Sequence, residues 1–132
     1  MQLNSYLMFN GRCEEAFKLY AECLGGKIEA MMTHAGTPAE AHTPPEWRDK
    51  IIHACLKVGD SILMGSDAPP DRYQAPKGTY THIGLKDSQE AERIFNTLAE
   101  GGVIQMPIAK TFWATRFGML VDKFGIQWMV NC

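Results

Sequence analysis

Of the four histidines in this 132-residue chain, His82 has the surroundings that chemistry asks for. It lies in TYTHIGLK (residues 79–86), where alternation along a strand turns Ile83 and Leu85 one way and Tyr80, His82 and Gly84 the other. An imidazole on the open face of a strand can serve as acid, base or hydrogen-bond donor near neutral pH. The competing reading is a half-buried histidine bonded to a neighbour. His53, in IIHACL, reads as structural on a central strand, and His34 and His42 flank a Pro-rich stretch and read as solvated. Cys13, Cys23, Cys55 and Cys132 stand 10, 32 and 77 residues apart, which matches no zinc motif. They read as reduced and mostly buried thiols, which places the chain in the cytoplasm. Arg116 reads as a surface arginine, with capture of an anionic group as the alternative.

The elements that position these residues occur twice. EEAFKLYAECLGGKIEAM (residues 14–31) is echoed by QEAERIFNTLAEGGVIQM (residues 89–106), so Glu15-Ala16 falls on Glu90-Ala91 and Gly25-Gly26 on Gly101-Gly102. GDSILMG (residues 59–65) resembles FGIQWMV (residues 124–130), with Met64 on Met129. Two copies are too few for a solenoid and suit a pseudo-twofold fold with any ligand site between the copies.

Each copy reads as strand, helix and three strands. In the first, a strand over 3–9 precedes a helix over about 13–25 with the apolar stripe Ala16, Leu19, Tyr20, Cys23 and Leu24. Strands follow at 27–34, 51–58 and 61–66, interrupted by the Pro-rich stretch 35–49. In the second, a strand over 79–86 leads to Asp87-Ser88-Gln89-Glu90, a capping-box pattern, then a helix with Ala91, Ile94, Phe95, Leu98 and Ala99 inward. Strands follow at about 103–113, 116–122 and 126–131. The reading is one α+β domain over 1–132: a module over about 1–66, a linker over 67–78 and a module over about 79–132, with curved sheets around a cavity and helices outside. Alternation then lines the cavity with Leu3, Ser5, Leu7, Phe9, Ile62, Met64, Tyr80, His82, Gln127 and Met129, and puts Tyr6 and Met8 under a helix. The long segments 35–49 and 67–78 read as lids or dimer contacts, with Trp47 and Tyr73 upon them.

Net charge is −2 with scattered charges, so neither nucleic acid nor a membrane surface is an expected partner. The N-terminus MQLNSYLMFNGR lacks the basic and apolar regions of a signal peptide. At 45% hydrophobic residues the chain can build one ordinary core.

The duplicated βαβββ pattern resembles the vicinal oxygen chelate superfamily, the glyoxalase/bleomycin-resistance/dioxygenase proteins. YLMFNGRCEEAFKLYAECLGG, HACLKVGDSILMGSD and FWATRFGMLVDKFGIQWMVN are similar to three stretches of its PhnB-like branch. That branch carries the label "3-demethylubiquinone-9 3-methyltransferase-like", yet no Gly-rich turn after a strand is present to cradle a nucleotide-like cofactor. The resemblance implies four divalent-metal ligands, usually His or Glu, on the first and last strands of each module. Laid on this chain, those positions fall on Ser5, Met64, His82 and Met129, and only His82 is a good ligand for a hard or borderline ion. The expectation is therefore no cofactor, with a divalent metal as the alternative.

Three functional readings follow. One is a PhnB-like protein that binds or sequesters an unknown small molecule without metal. The second is a glyoxalase- or dioxygenase-like enzyme with a non-standard metal site or with His82 as its acid/base. The third is a dimeric interaction protein with a filled cavity. A homodimer is expected by analogy with the superfamily.

Overall fold

The computed structural model describes residues 1–132, and the backbone divides into two compact units, Met1–Gln74 and Ala75–Cys132. The first contains β1 (Ser5–Phe9), α1 (Cys13–Leu24), β2 (Lys27–Thr33), β3 (Ile51–Val58) and β4 (Ser61–Asp67). The second repeats the series as β5 (Thr81–Gly84), α2 (Ser88–Ala99), β6 (Val103–Ala109), β7 (Phe117–Val121) and β8 (Gln127–Asn131). Each unit is a four-stranded mixed sheet with one helix, and the strand orders β1-β4-β3-β2 and β5-β8-β7-β6 correspond. In both, the first strand runs parallel to the last, while the other pairs are antiparallel. No helix is long and apolar enough to cross a membrane.

The repeated Gly-Gly has two separate physical causes. Gly25 (φ 68°) and Gly101 (φ 76°) adopt the left-handed conformation that turns the chain after each helix. Gly26 and Gly102 lie flat against a neighbouring strand. A Cβ on Gly26 would stand 2.9 Å from the Lys57 carbonyl oxygen, and one on Gly102 would overlap the Val121 carbonyl oxygen. The helices themselves start differently. Asp87 caps α2 by accepting the Gln89 N–H at 3.0 Å. The capping box is only half formed, because the Glu90 carboxylate turns to Arg93, whose hydrogen bonds hold its carboxyl below the usual range. Arg12 gives α1 no side-chain cap. The buried Asp67, at the far end of β4, accepts the Cys13 N–H at 2.9 Å and, through its other oxygen, the Ile51 N–H at 2.9 Å. One carboxylate thus joins the start of α1, the start of β3 and the end of β4. Asp67 belongs to the strand, one residue past the expected end.

The helix-facing layer of the first unit corrects two expectations. Phe17, absent from the expected stripe, is fully buried, while Leu19 and Leu24 are only half-buried. Phe9 is fully buried against α1, its ring 5.9 Å from Phe17 and 6.4 Å from Tyr20. Leu7 and Ser5 share its side of β1, and Leu3 is fully exposed ahead of the strand. Tyr6 and Met8 take the helix-free side instead. The expected facing of β1 is therefore reversed by one residue. Its LMF run is apolar on both sides and carries no alternation to read, and a slip of one residue exchanges the two faces. In the second unit the expected facing of the helix layer holds: Trp128, Val130 and Leu120 are buried on the α2 side, where a Cβ on Gly118 would stand 2.6 Å from the Phe95 ring.

Candidate functional site

The sheet register sorts the helix-free faces. In the second unit His82 pairs with Met129, Met129 with Met119 and Met119 with Met106, so one imidazole and three thioethers lie side by side across four strands. In the first unit Tyr6 pairs with Met64 and Met64 with Cys55, while Met32 pairs with His53 one pleat along. The register partner of the last-strand methionine is thus Tyr6 in one module and His82 in the other. Ser5, assigned to that position from the sequence, pairs with Leu63 on the helix side.

His82 is exposed, and its Nε2 stands 2.6 Å from the Asn131 amide oxygen. That oxygen can only accept, so Nε2 carries the proton and Nδ1 holds the free lone pair. Tyr80 donates its hydroxyl to Gln105 Oε1 at 2.8 Å. Gln127, expected to face a ligand, is buried and spends its amide on the Thr79 carbonyl at 2.7 Å, where it secures the entry to β5. Ile62, Met64 and Met129 are half-buried on the helix-free faces. Arg116 donates to Glu92 at 2.7 Å and to the Thr115 carbonyl at 2.8 Å, so its guanidinium is committed to a local surface role.

The cysteines are free thiols, two of them buried and two half-buried. Burial above all, then the charges of Asp67 and Glu14, pushes the Cys13 thiol far above the usual cysteine range, which makes it inert as a nucleophile. A divalent ion of the kind the superfamily uses does not fit the donors present. The first- and last-strand positions offer a phenol and a thioether in one unit and an imidazole and a thioether in the other. Nowhere do three His, Cys, Asp or Glu side chains come together.

A cleft of about 740 Å³ opens within the first unit. The two Pro-rich segments build it together. His42, Thr43, Pro44, Glu46 and Trp47 come from the first, and Pro69, Pro70, Asp71 and Arg72 from the second, over a floor that includes His34 and Ile52. Short 3₁₀ turns at Pro38–His42 and Pro45–Trp47 give the first segment its shape, with Thr37 accepting the Ala39 N–H at 3.2 Å. The His34 ring donates from Nδ1 to the Lys50 carbonyl at 3.0 Å, leaving Nε2 bare. The indole Nε1–H of Trp47 is buried without a hydrogen-bond partner. Arg72 was missed by sequence reasoning. Its only signal was its place in a Pro-rich segment, and Tyr73, singled out there, is not among the cleft residues.

Two βαβββ modules of identical strand order, each with an open sheet face opposite its helix, define the vicinal oxygen chelate architecture. Residues 1–131 match the family described as 3-demethylubiquinone-9 3-methyltransferase, and the chain belongs to that family, the PhnB-like branch of the superfamily. It is 33% identical over 139 residues to protein YjdN of Escherichia coli, covering 99% of this chain and 95% of that protein. Among solved structures it is similar to protein PA1353 of Pseudomonas aeruginosa, with a TM-score of 0.92, 49% identity and coverage of 100% of this chain and 97% of that one. The PhnB protein of Bacillus cereus shares the fold, with a TM-score of 0.84 at 22% identity over 99% and 98% of the two chains.

Proposed function

We propose that the chain binds a small organic molecule in the cleft between its two Pro-rich segments. The observation that carries this reading is the cleft itself: about 740 Å³, with proline, isoleucine and indole walls and a few converging polar groups. Trp47, whose indole N–H is buried without a hydrogen-bond partner, contributes to the same walls. Arg72 is the one arginine of the five whose side chain has no hydrogen-bond partner of its own, and it borders the same space. A ligand with an apolar or aromatic body and an acceptor group suits these walls. Anilinonaphthalene sulfonate is a probe of that chemistry. Its fluorescence is expected to saturate at one dye per chain, and Trp47→Phe and Arg72→Ala to weaken binding with the fold intact. A non-saturating response, or equal binding by both variants, would sink the reading.

The exposed apolar groups of the second unit support a homodimer as well. Phe112 is 97% exposed, Trp113 56% and Val103 63%, next to the sheet edge formed by β6. Light scattering after gel filtration is expected to give twice the 14.8 kDa chain mass, and Trp113→Glu to give the monomer.

A further inference from the structure

A second cavity of the first unit, about 390 Å³, lies at the ends of β1 and β4 and is lined by Met8, Asp67, Ala68, Pro69, Arg72 and Gln74. Pro69 and Arg72 also line the larger cleft, so the two spaces meet at the turn that these residues form. The turn is fixed by its own backbone. Ala68 donates its N–H to the Phe9 carbonyl at 2.8 Å, and the Arg72 and Tyr73 N–H groups both donate to the Pro69 carbonyl, at 2.8 and 2.9 Å. Pro69 and Pro70 hold their φ angles by ring closure, which leaves the segment little freedom to lose when a ligand arrives. On the wall of the smaller cavity, Met8 is held by Ser66, whose hydroxyl donates to its sulfur at 3.6 Å.

The charges at this junction differ in how they are committed. Asp67 spends both carboxylate oxygens on the Cys13 and Ile51 N–H groups. Glu46 and Asp71 are exposed residues that line the cleft, and neither forms an ion pair with Arg72. The Arg72 guanidinium keeps its N–H donors free for a ligand. We infer that Arg72 holds the anionic group of a ligand that fills both cavities: a single carboxylate or sulfonate set between two apolar portions, one in the cleft against Ile52 and Trp47, the other against Met8 and Ala68. A planar guanidinium binds such a group through paired N–H bonds. The carboxylates of Glu46 and Asp71 repel a second negative charge, which selects against polyphosphates and nucleotides. The inference rests on the cleft reading above and adds to it the sign and number of the ligand's charges and its second apolar part.

Anilinonaphthalene sulfonate carries its one anion between a naphthalene and a phenyl ring, and phenylnaphthylamine is the same molecule without the sulfonate. Fluorescence titration of the full-length chain is expected to show saturable binding of both dyes. Arg72→Met keeps an apolar stem and removes the charge. It is expected to lower the preference for the sulfonate dye about ten-fold and to leave the neutral dye unchanged. Gln74→Glu adds a carboxylate to the smaller cavity that Arg72 borders, and is expected to weaken the sulfonate dye about five-fold. Gln89→Glu, the same charge change on an exposed residue that lines neither cavity, is expected to leave it unmoved. Pyrophosphate is expected to displace no more dye than sodium chloride does at equal ionic strength. Circular dichroism confirms that each variant is folded. If both dyes saturate and Arg72→Met leaves their ratio unchanged, the inference is overturned and the cleft reading stands. If neither dye saturates, both fall. An equal response to Gln74→Glu and Gln89→Glu, or displacement by pyrophosphate beyond the salt effect, also overturns the inference.

Discussion

Removing the Asp67 carboxylate tests how the first module is held together. Its two oxygens accept the Cys13 and Ile51 N–H groups, both at 2.9 Å and both in buried surroundings. Asp67→Ala strands two buried donors at about 1–3 kcal/mol each, so a loss of about 4 kcal/mol is expected. Asp67→Asn keeps one acceptor oxygen and turns an NH₂ toward the other donor, so about half that loss, or slightly more, is expected. With a urea slope of about 2 kcal/mol per molar, the alanine variant should lower the midpoint by about 2 M and the asparagine variant by about 1 M. Urea titration followed by far-UV circular dichroism measures both. The same substitution removes one of the charges that raise the Cys13 thiol but leaves its burial, the larger cause, in place. Slow alkylation of Cys13 should therefore persist in the folded Asn variant. A midpoint change below about 0.5 M for Asp67→Ala would refute the reasoning, because it would mean that water or a neighbour satisfies both donors.

Other outcomes follow from the same structure. In the native protein Cys13 and Cys23 should resist a thiol reagent such as dithionitrobenzoate while Cys55 and Cys132 react, giving two fast thiols, with all four released in denaturant. The raised Cys13 thiol also has a linkage consequence. Above its ordinary value of 9.0 the unfolded chain loses this proton while the folded chain keeps it, so stability falls as pH rises, by up to about 1.4 kcal/mol per pH unit. Comparing Cys13→Ala with the natural chain between pH 8 and pH 10 should show a flatter profile for the variant; parallel profiles would contradict the assignment. Gly102→Ala should destabilise by about 2–3 kcal/mol because its methyl meets the Val121 carbonyl and the Asp122 backbone, neither of which can swing aside. Gly25→Ala meets nothing within 4 Å and should lose only about 1 kcal/mol to backbone strain, a contrast that thermal unfolding resolves.

Much of the fold was legible because its signals are local. The Gly-Gly pairs, the helical stripe of α2 and the Asp87 cap each act within a few residues, so their pattern survives in the sequence. Facing along β1 was not legible, since Tyr6, Leu7, Met8 and Phe9 are all apolar enough for either side. The choice is made by Phe17 and Tyr20 on α1, partners that alternation alone does not reveal. At the candidate site, the family resemblance puts His82 and Met129 on the first and last strands of one module, and the register pairs them, whereas in the other module it pairs Met64 with Tyr6 rather than Ser5. The cleft was visible only in parts. Both Pro-rich segments stood out by composition, but nothing local states that His42 and Arg72, 30 positions apart in the chain, share one space. Met64 stands out in sequence through the repeat and the resemblance, but its neighbour Cys55 is found only through the β3–β4 register.

The two modules share a topology and differ in how far along the chain their buried carboxylates reach. Asp122 anchors the β7–β8 turn through Phe124, Ile126 and Trp128, at separations of 2, 4 and 6 residues. Asp67 has to find partners 54 and 16 residues upstream. Short loops close early and long ones late, because closure entropy grows with the chain between the contacts. The second module therefore carries a turn that can organise as soon as its own residues are in place. The first must wait for its last strand before α1 acquires its cap. Pulse-labelled hydrogen exchange during refolding should see the amides of Phe124 and Ile126 protected before those of Cys13 and Ile51, so that a twofold-repeated architecture is assembled asymmetrically in time.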